Sequence, residues 1–472
     1  PYNYWFLNFF TIIIIFIIFY KNLNLSFKTI ILFGYSFGFG YFFSSLYWIP
    51  FSLSYDENFK FLIPLAIIII PAFLSIFYAL AFGMAKLFIN SNNIISNILI
   101  FSLSLSFFEF LRGHILSGFP WNLFAYSLSN NINLIQINSV IGVYAFNLVI
   151  ITIFLSPSVL YLSRNKKNLF GFSVILIVFI FLHVFSLLKI KSYNSLDNKI
   201  LTTDIKLLST NIPIDRFYSN LDDEVVLKKL INLSNAESDK STIFIWPEGI
   251  LPDITQEELV NYNFLFNENF SKNHLLITGI NKQMLSDGSK NFYNSFSIYD
   301  NQLNLLNSYE KIKLVPFGEF LPLEGILKKI GLKSITNNYQ SFSSGNQRDI
   351  IEIKQNDFSL KVLPLICYEM IYSGKLSKNF DFDLIINISE DGWFGQSIGP
   401  KQHLTHSIFR AIESGKYVLR SSNNGIAAII NPLGSIEQIV NFGESKYIDF
   451  YEMRKIQPTV FSKYGNKIFG LL

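Results

Sequence analysis

Six apolar runs fill most of the first 190 residues, and they constrain the fold before any other feature does. They lie at 1–20, 29–55, 61–85, 93–111, 138–163 and 169–188; five hold no charged side chain, and the fourth holds Glu109. Crossing a bilayer takes roughly 20 apolar residues. One such run is consistent with a buried core helix, but six in succession predict a multi-pass bundle. Pro64 and Pro71 are compatible with this, because proline is tolerated in membrane helices. Only 15% of the chain is charged, against about 25% in soluble domains.

The loops orient the bundle. Lys21 and Lys28, Lys86, and Arg164, Lys166 and Lys167 fall on one side, while only Lys60 and Arg112 fall on the other. Basic loops stay in the cytoplasm, so the long segment after the sixth run is expected outside, in the periplasm of a bacterium. Residues 1–188 carry a net +5 and residues 189–472 a net −1. The basic excess therefore belongs to the membrane half and does not indicate nucleic-acid binding. Ionisable groups inside the spans are scarce, which disfavours a transporter. The loop 112–127 is aromatic and turn-rich, consistent with interfacial anchoring or with shaping a substrate entrance. Glu109 and Arg112 are three apart, the spacing of a helix salt pair. The chain starts at Pro1 and ends at Leu472 as a hydrophobic run begins. Native sequence is expected beyond both ends, with 456–472 opening a C-terminal membrane segment.

From about 195 the pattern changes to short β-rich runs alternating with polar helical stretches. Strands are expected at 204–210, 241–246, 273–280, 292–299, 303–309, 349–354, 358–366, 382–388 and 425–430. Helices are expected at 222–236, 255–270 and 402–415. Such alternation predicts a layered α/β domain. The organisation expected is a transmembrane unit at 1–190 and a catalytic unit at 195–455.

Three stretches of this second half carry chemistry. In 241–249, a strand runs into Trp246-Pro247, and Pro247 ends its ladder; Glu248 is delivered at the strand end as a candidate general base. In 309–322, Lys311 and Lys313 alternate with apolar residues and Glu319 sits in a Pro/Gly turn. In 361–369, an apolar strand ends at Cys367, the only cysteine of the chain, with Glu369 two residues on. A lone cysteine is ordinarily a small buried hydrophobe, and a lone lysine or glutamate a solvated one. Together they supply a base, a cation and a thiol, which is the set for acyl transfer through a thioester. One cysteine leaves no disulfide, and five scattered histidines lack zinc spacing, so no metal or cofactor is called for.

These motifs resemble the Glu-Lys-Cys triad of the carbon–nitrogen hydrolases (nitrilases): Trp-Pro-Glu, then Tyr-x-Lys-x-x-Leu-Val-Pro-Phe-Gly-Glu, then Ile-Cys-Tyr-Glu. Pro-Phe-Gly-Glu-Phe-Leu-Pro, the run Asp391–His403, Arg-Ala-Ile-Glu at 410–413, Phe-Leu-Arg-Gly at 110–113 and Gly-Phe-Pro-Trp at 118–121 resemble, more narrowly, the apolipoprotein N-acyltransferases. The resemblance implies a nitrilase-like αββα sandwich tethered to the bacterial inner membrane, facing the periplasm. It implies transfer of an acyl chain from a phospholipid, typically phosphatidylethanolamine, onto the cysteine. The chain then passes to the N-terminal amine of the diacylglyceryl-cysteine of an apolipoprotein. By motif, Glu248 is the base, Lys311 the oxyanion lysine and Cys367 the nucleophile. Glu319, Tyr368 and Glu369 fall on positions the family needs, and Tyr218 stands about where the family has a functional Trp. The family has eight membrane helices, where six are visible here, and Asn-Ile-Ser-Glu-Asp-Gly-Trp replaces its more usual Asn-Asp-x-Trp. The rival reading is a membrane-anchored amidase with the same triad, passing the acyl group to water. Leu323, Ile326, Leu327 and Ile330 are spaced as one face of an amphipathic helix, fit for a bilayer surface or for core packing.

Overall fold

The computed structural model describes residues 3–89, 93–218, 221–286, 289–323, 325, 329, 341–377 and 379–471. The apolar runs form α1 (Trp5–Lys21), α2 (Phe27–Leu46), α3 (Ile63–Phe88), α4 (Ile94–Arg112), α5 (Asn138–Leu155) and α6 (Lys166–Asn194). Among the described residues five helices are long and apolar enough to cross a membrane; α1, with 17 residues, is shorter. The second run stops at Leu46 instead of continuing to 55. Pro50 disfavours α geometry in the residue before it, and Ile49–Tyr55 tightens into a 3-10 turn. Most of the amphipathic stretch 323–330 lies outside the described residues.

The bundle is held by close packing and by a few buried polar groups. Gly34 and Gly38 of α2 let α3 approach so closely that a β-carbon there would sit 2.7 Å and 2.8 Å from the β-carbons of Phe82 and Tyr78. Glu109 and Arg112 stand 4.0 Å apart, and both find nearer partners. Glu109 accepts from Tyr78 Oη (2.8 Å) and Asn147 Nδ2 (2.5 Å), and Arg112 donates to the Phe119 carbonyl (2.5 Å).

The second half is a sandwich. Its strands are β1 (Lys199–Thr210), β2 (Thr242–Ile245), β3 (Leu251–Thr255), β4 (His274–Ser286), β5 (Ser289–Tyr299), β6 (Leu305–Glu310), β7 (Ile351–Gln355), β8 (Phe358–Ile366), β9 (Leu384–Glu390), β10 (Tyr417–Asn423), β11 (Ala427–Ile430), β12 (Ile436–Val440) and β13 (Lys446–Met453). The main path runs β6-β5-β4-β2-β1-β10-β9-β8-β7. It folds over where β1 and β10 pair through only Ser209–Ser422 and Thr210–Asn423. The period-2 alternation of strands then sends one face of each half into a shared interior: Ile243, Ile245, Leu275 and Ile277 meet Leu360, Val362, Ile386 and Leu419. The opposite faces are covered by helices. α7 (Asp223–Ser234) covers Phe244 and Trp246, and α8 (Gly399–Ser414) covers Leu363, Leu365, Ile385 and Val418. This is an αββα arrangement. The α8 side shares one continuous apolar core with the membrane helices.

One expectation needs correction, and four strands were not foreseen. Residues 255–270 form two short turns, Leu259–Tyr262 and Asn263–Asn267, in place of one helix. β10 is buried on both faces, with Arg420, Ser421 and Ser422 inside, so it shows no apolar alternation. β3, β12 and β13 are sheet-edge or partly exposed strands, with weak patterns.

The loop 112–127 docks on the second half. Trp121 and Trp48 both donate through their indole N–H to Gln402 Oε1, at 2.9 and 2.8 Å. The last described segment returns to the bundle, where Phe469 stacks on Phe110 at 4.8 Å and Phe461 fills the space beside Gly142. Gly142 interrupts α5 with φ +73°, and a β-carbon there would lie 2.0 Å from Phe461 Cε2. Gly142→Ala is therefore expected to destabilise the protein by about 1–3 kcal/mol or more, read as a lowered thermal midpoint in detergent.

Candidate active site

The site forms where strand ends from both halves of the sandwich meet. β2 ends as the Trp246 N–H bonds the Ile277 carbonyl (2.8 Å), and Pro247 has no N–H to continue. Glu248 follows, 5% exposed. Its Oε1 accepts from Asn294 Nδ2 (2.7 Å) and Lys311 Nζ (3.0 Å), and its Oε2 from the Glu390 N–H (3.0 Å) at the end of β9.

Lys311 lies one residue beyond β6, where its N–H bonds the Asn294 carbonyl (2.9 Å). It is 1% exposed, whereas Lys313 is exposed. Its ammonium sits between Glu248 and Glu319, 3.0 and 2.9 Å away. Burial alone lowers an ammonium pKa, but the two carboxylates outweigh it and hold Lys311 well above its ordinary value. Burial raises the Glu319 carboxyl above the usual range, with Lys311 opposing. Asn294 Nδ2 also donates to Glu319 (2.8 Å), and the Val315 N–H holds its second oxygen (2.8 Å).

Cys367 begins the turn after β8 with φ +46°. Such a conformation costs about 1–3 kcal/mol for a residue with a side chain and recurs at functional sites. The thiol is buried, and burial, reinforced by Glu248, pushes its pKa well above the ordinary range against the pull of Lys311. A thiol in this state is neutral at rest and needs a base to become a nucleophile.

Glu369 acts at the turn rather than on the thiol. One oxygen accepts from Tyr309 Oη (2.6 Å), the Ile312 and Lys313 N–H groups (3.0 and 3.2 Å) and the Arg348 guanidinium, and the other from the Ile366 N–H (3.0 Å). It ties the end of β8 to the segment carrying Lys311. Tyr368 is buried and donates to the Gly118 carbonyl of the membrane half (3.2 Å). Tyr218 is 37% exposed at the end of the Ile214–Phe217 turn. Its neighbour Phe217 is the ring that packs on Trp393 (5.0 Å) and beside Gly249.

The motifs did not point to Asn294, Arg348 or the pair Arg216–Glu390. Asn294 lies in an unremarkable strand, and the arginines are far in sequence from the carboxylates they meet. Asp391, His403 and Cys367 bring donor atoms within 4.8 Å of one another, the one such group among the described residues. Arg420 already occupies it, 2.6 Å from Asp391 and 3.1 Å from His403 Nδ1, so a cation there faces a fixed positive charge.

Two family models match the chain. One, described as apolipoprotein N-acyltransferase N-terminal domain, covers residues 1–156, and one described as carbon-nitrogen hydrolase covers 212–448. An apolipoprotein N-acyltransferase of Rhodopseudomonas palustris is 34% identical over 92% of this chain and 82% of its own length. One of Rickettsia prowazekii is 34% identical over 92% and 86%. A solved amidase from Nesterenkonia sp. AN1 superposes with a TM-score of 0.37 at 11% identity, over 54% of this chain and 92% of that one; so distant a likeness carries no weight.

Two outcomes follow from the geometry. Glu369→Gln strips the buried Arg348 of its counter-charge and turns an amide toward N–H donors, so a loss of about 3–5 kcal/mol is expected in chemical or thermal unfolding. A raised pKa means less thiolate at a given pH. Iodoacetamide at pH 8 is therefore expected to label Cys367 more slowly than free cysteine, with the rate still climbing above pH 9.

Proposed function

The chain belongs to the apolipoprotein N-acyltransferase family, and on that premise we propose that Glu248, Lys311 and Cys367 carry its chemistry. The enzyme is a membrane acyltransferase of lipoprotein maturation, moving an acyl chain from a lipid to the N-terminal amine of an apolipoprotein. The observation that carries the residue assignment is the buried ammonium of Lys311 between Glu248 and Glu319.

Glu248 takes the thiol proton as the sulfur attacks the ester carbonyl of the donor lipid. The oxyanion of the tetrahedral intermediate is stabilised by the Lys311 ammonium. Collapse breaks the ester C–O bond, Glu248 returns the proton to the departing lysolipid oxygen, and the acyl group remains on sulfur. The amine of the diacylglyceryl-cysteine then attacks the thioester, Glu248 receives its proton, and the thiolate leaves and is reprotonated. Glu319 keeps Lys311 charged and placed, Glu369 fixes the turn that presents Cys367, and Tyr368 ties that turn to the membrane half.

The donor is phosphatidylethanolamine or a lipid of its class. The enzyme sits in the bacterial inner membrane with the catalytic unit in the periplasm, as the basic loops at 21–28, 86 and 164–167 support. Residues 1–190 form the membrane unit, 195–455 the catalytic unit, and 456–472 return to the membrane unit. Tyr218 belongs to the rim beside Phe217 and contacts substrate there.

With phospholipid alone, the intact protein is expected to gain one acyl mass that hydroxylamine removes. Cys367→Ser is expected to form no such adduct and to lose about 10³-fold or more in lipopeptide acylation. Free fatty acid without acylated lipopeptide would instead establish hydrolysis as the reaction.

A further inference from the structure

The strained backbone of Cys367 persists only if its surroundings over-determine it, and one side chain grips its carbonyl. His403 Nε2 lies 3.2 Å from the Cys367 carbonyl oxygen. That oxygen can only accept, so Nε2 carries the proton. Nδ1 has two neighbours, Asp391 Oδ1 at 2.9 Å and Arg420 Nη2 at 3.1 Å. It accepts from Arg420 when the ring is neutral and donates to Asp391 when the ring is charged, so the bond to Cys367 survives in either state.

The ring itself is fixed from every side. Asp391 is held by Arg420 (2.6 Å) and by Ser389 Oγ (2.7 Å). Trp121 and Phe394 flank the imidazole with centroids at 5.7 and 5.5 Å. The preceding residue, Gln402, accepts from the Trp48 and Trp121 indoles and donates to the Ser45 carbonyl (3.1 Å). The first turns of α8 are thereby pinned to the membrane half.

We propose that His403 is a positioning residue for acyl transfer. Resting on the reading of Cys367 as nucleophile, it locks the peptide between Cys367 and Tyr368 in the plane that thioester formation requires. A peptide unit is rigid and planar, so fixing the Cys367 carbonyl also fixes the Tyr368 N–H on the same unit. Asp391 and Gln402 act through His403, and Gln402 makes the membrane helices part of that support. His403 is not the base for the thiol, because its Nε2 proton is committed to the carbonyl.

The test uses the full chain in detergent with phospholipid, and reads single-turnover acylation of Cys367 by intact mass. His403→Ala is expected to slow acylation about 10–100-fold, the scale of a small misplacement of reacting groups, with the half-saturating lipid concentration within about twofold of the parent. His403→Gln keeps an N–H donor and is expected to recover most of the rate with the pH profile unchanged in shape. Acylation by the Ala variant at the parent rate overturns the proposal. So does a folded Gln variant as slow as Ala, or one that loses an ionisation from the pH profile, which would make His403 a proton carrier. If the Ala variant does not fold, the Gln variant decides by the same rates. A parent enzyme that forms no adduct at Cys367 defeats the nucleophile reading instead, so the two failures are distinct.

Discussion

A lysine ammonium buried between two carboxylates organises the catalytic half. Taking Lys311 out of water is costly, and only the charges of Glu248 and Glu319, at 3.0 and 2.9 Å, make it tenable. The same arrangement requires three segments to converge: the end of β2, the residue after β6, and the Pro/Gly turn around Glu319. Asn294 bridges both carboxylates and so fixes their separation. The Cys367 thiol is buried as well, and burial, reinforced by Glu248, raises its pKa well above the ordinary range.

The sandwich exists to bring those strand ends together. Folding the strand path at the short β1–β10 contact sets β2 and β8 in opposite layers with a common apolar interior. The residues that follow them, Glu248 and Cys367, then share one buried site. Pro247 and the φ +46° backbone of Cys367 are the two local breaks that stop the ladders and turn side chains into it. Glu369, accepting from five donors, fastens the second break to the lysine segment.

The membrane helices are structurally continuous with this site. One apolar core runs from α1 to α8, and polar contacts reach the residues around Cys367. Tyr368 and Tyr372 donate to the Gly118 carbonyl (both 3.2 Å), and Gln402 takes two tryptophan indoles. Glu413 of α8 accepts the Val143 N–H that the break at Gly142 frees (2.9 Å). The turn that carries Cys367 is thereby anchored to the helical bundle.

Much of this was legible in the residues. Helices crossing a bilayer are determined locally, by about 20 apolar residues in a row, so the six apolar runs announced the bundle without any tertiary information. Strand-ending motifs are local too, which is why Trp-Pro-Glu and Ile-Cys-Tyr-Glu could be placed at strand ends. What the sequence could not hold is non-local. Arg420 and Ser421 hide β10 from any alternation pattern, because their partners come from other strands. The Glu109–Arg112 spacing suggested a simple pair, yet Tyr78 and Asn147 are the nearer partners of Glu109. His403 lies 36 residues from Cys367 and Lys311 lies 63 from Glu248. The sequence by itself determined the membrane bundle, the layered domain and the chemical types available for acyl transfer. Only the tertiary structure decided which lysine is buried, which groups surround the thiol and what holds the Cys367 backbone. Charge energies depend on burial and distance, and those arise when remote segments meet.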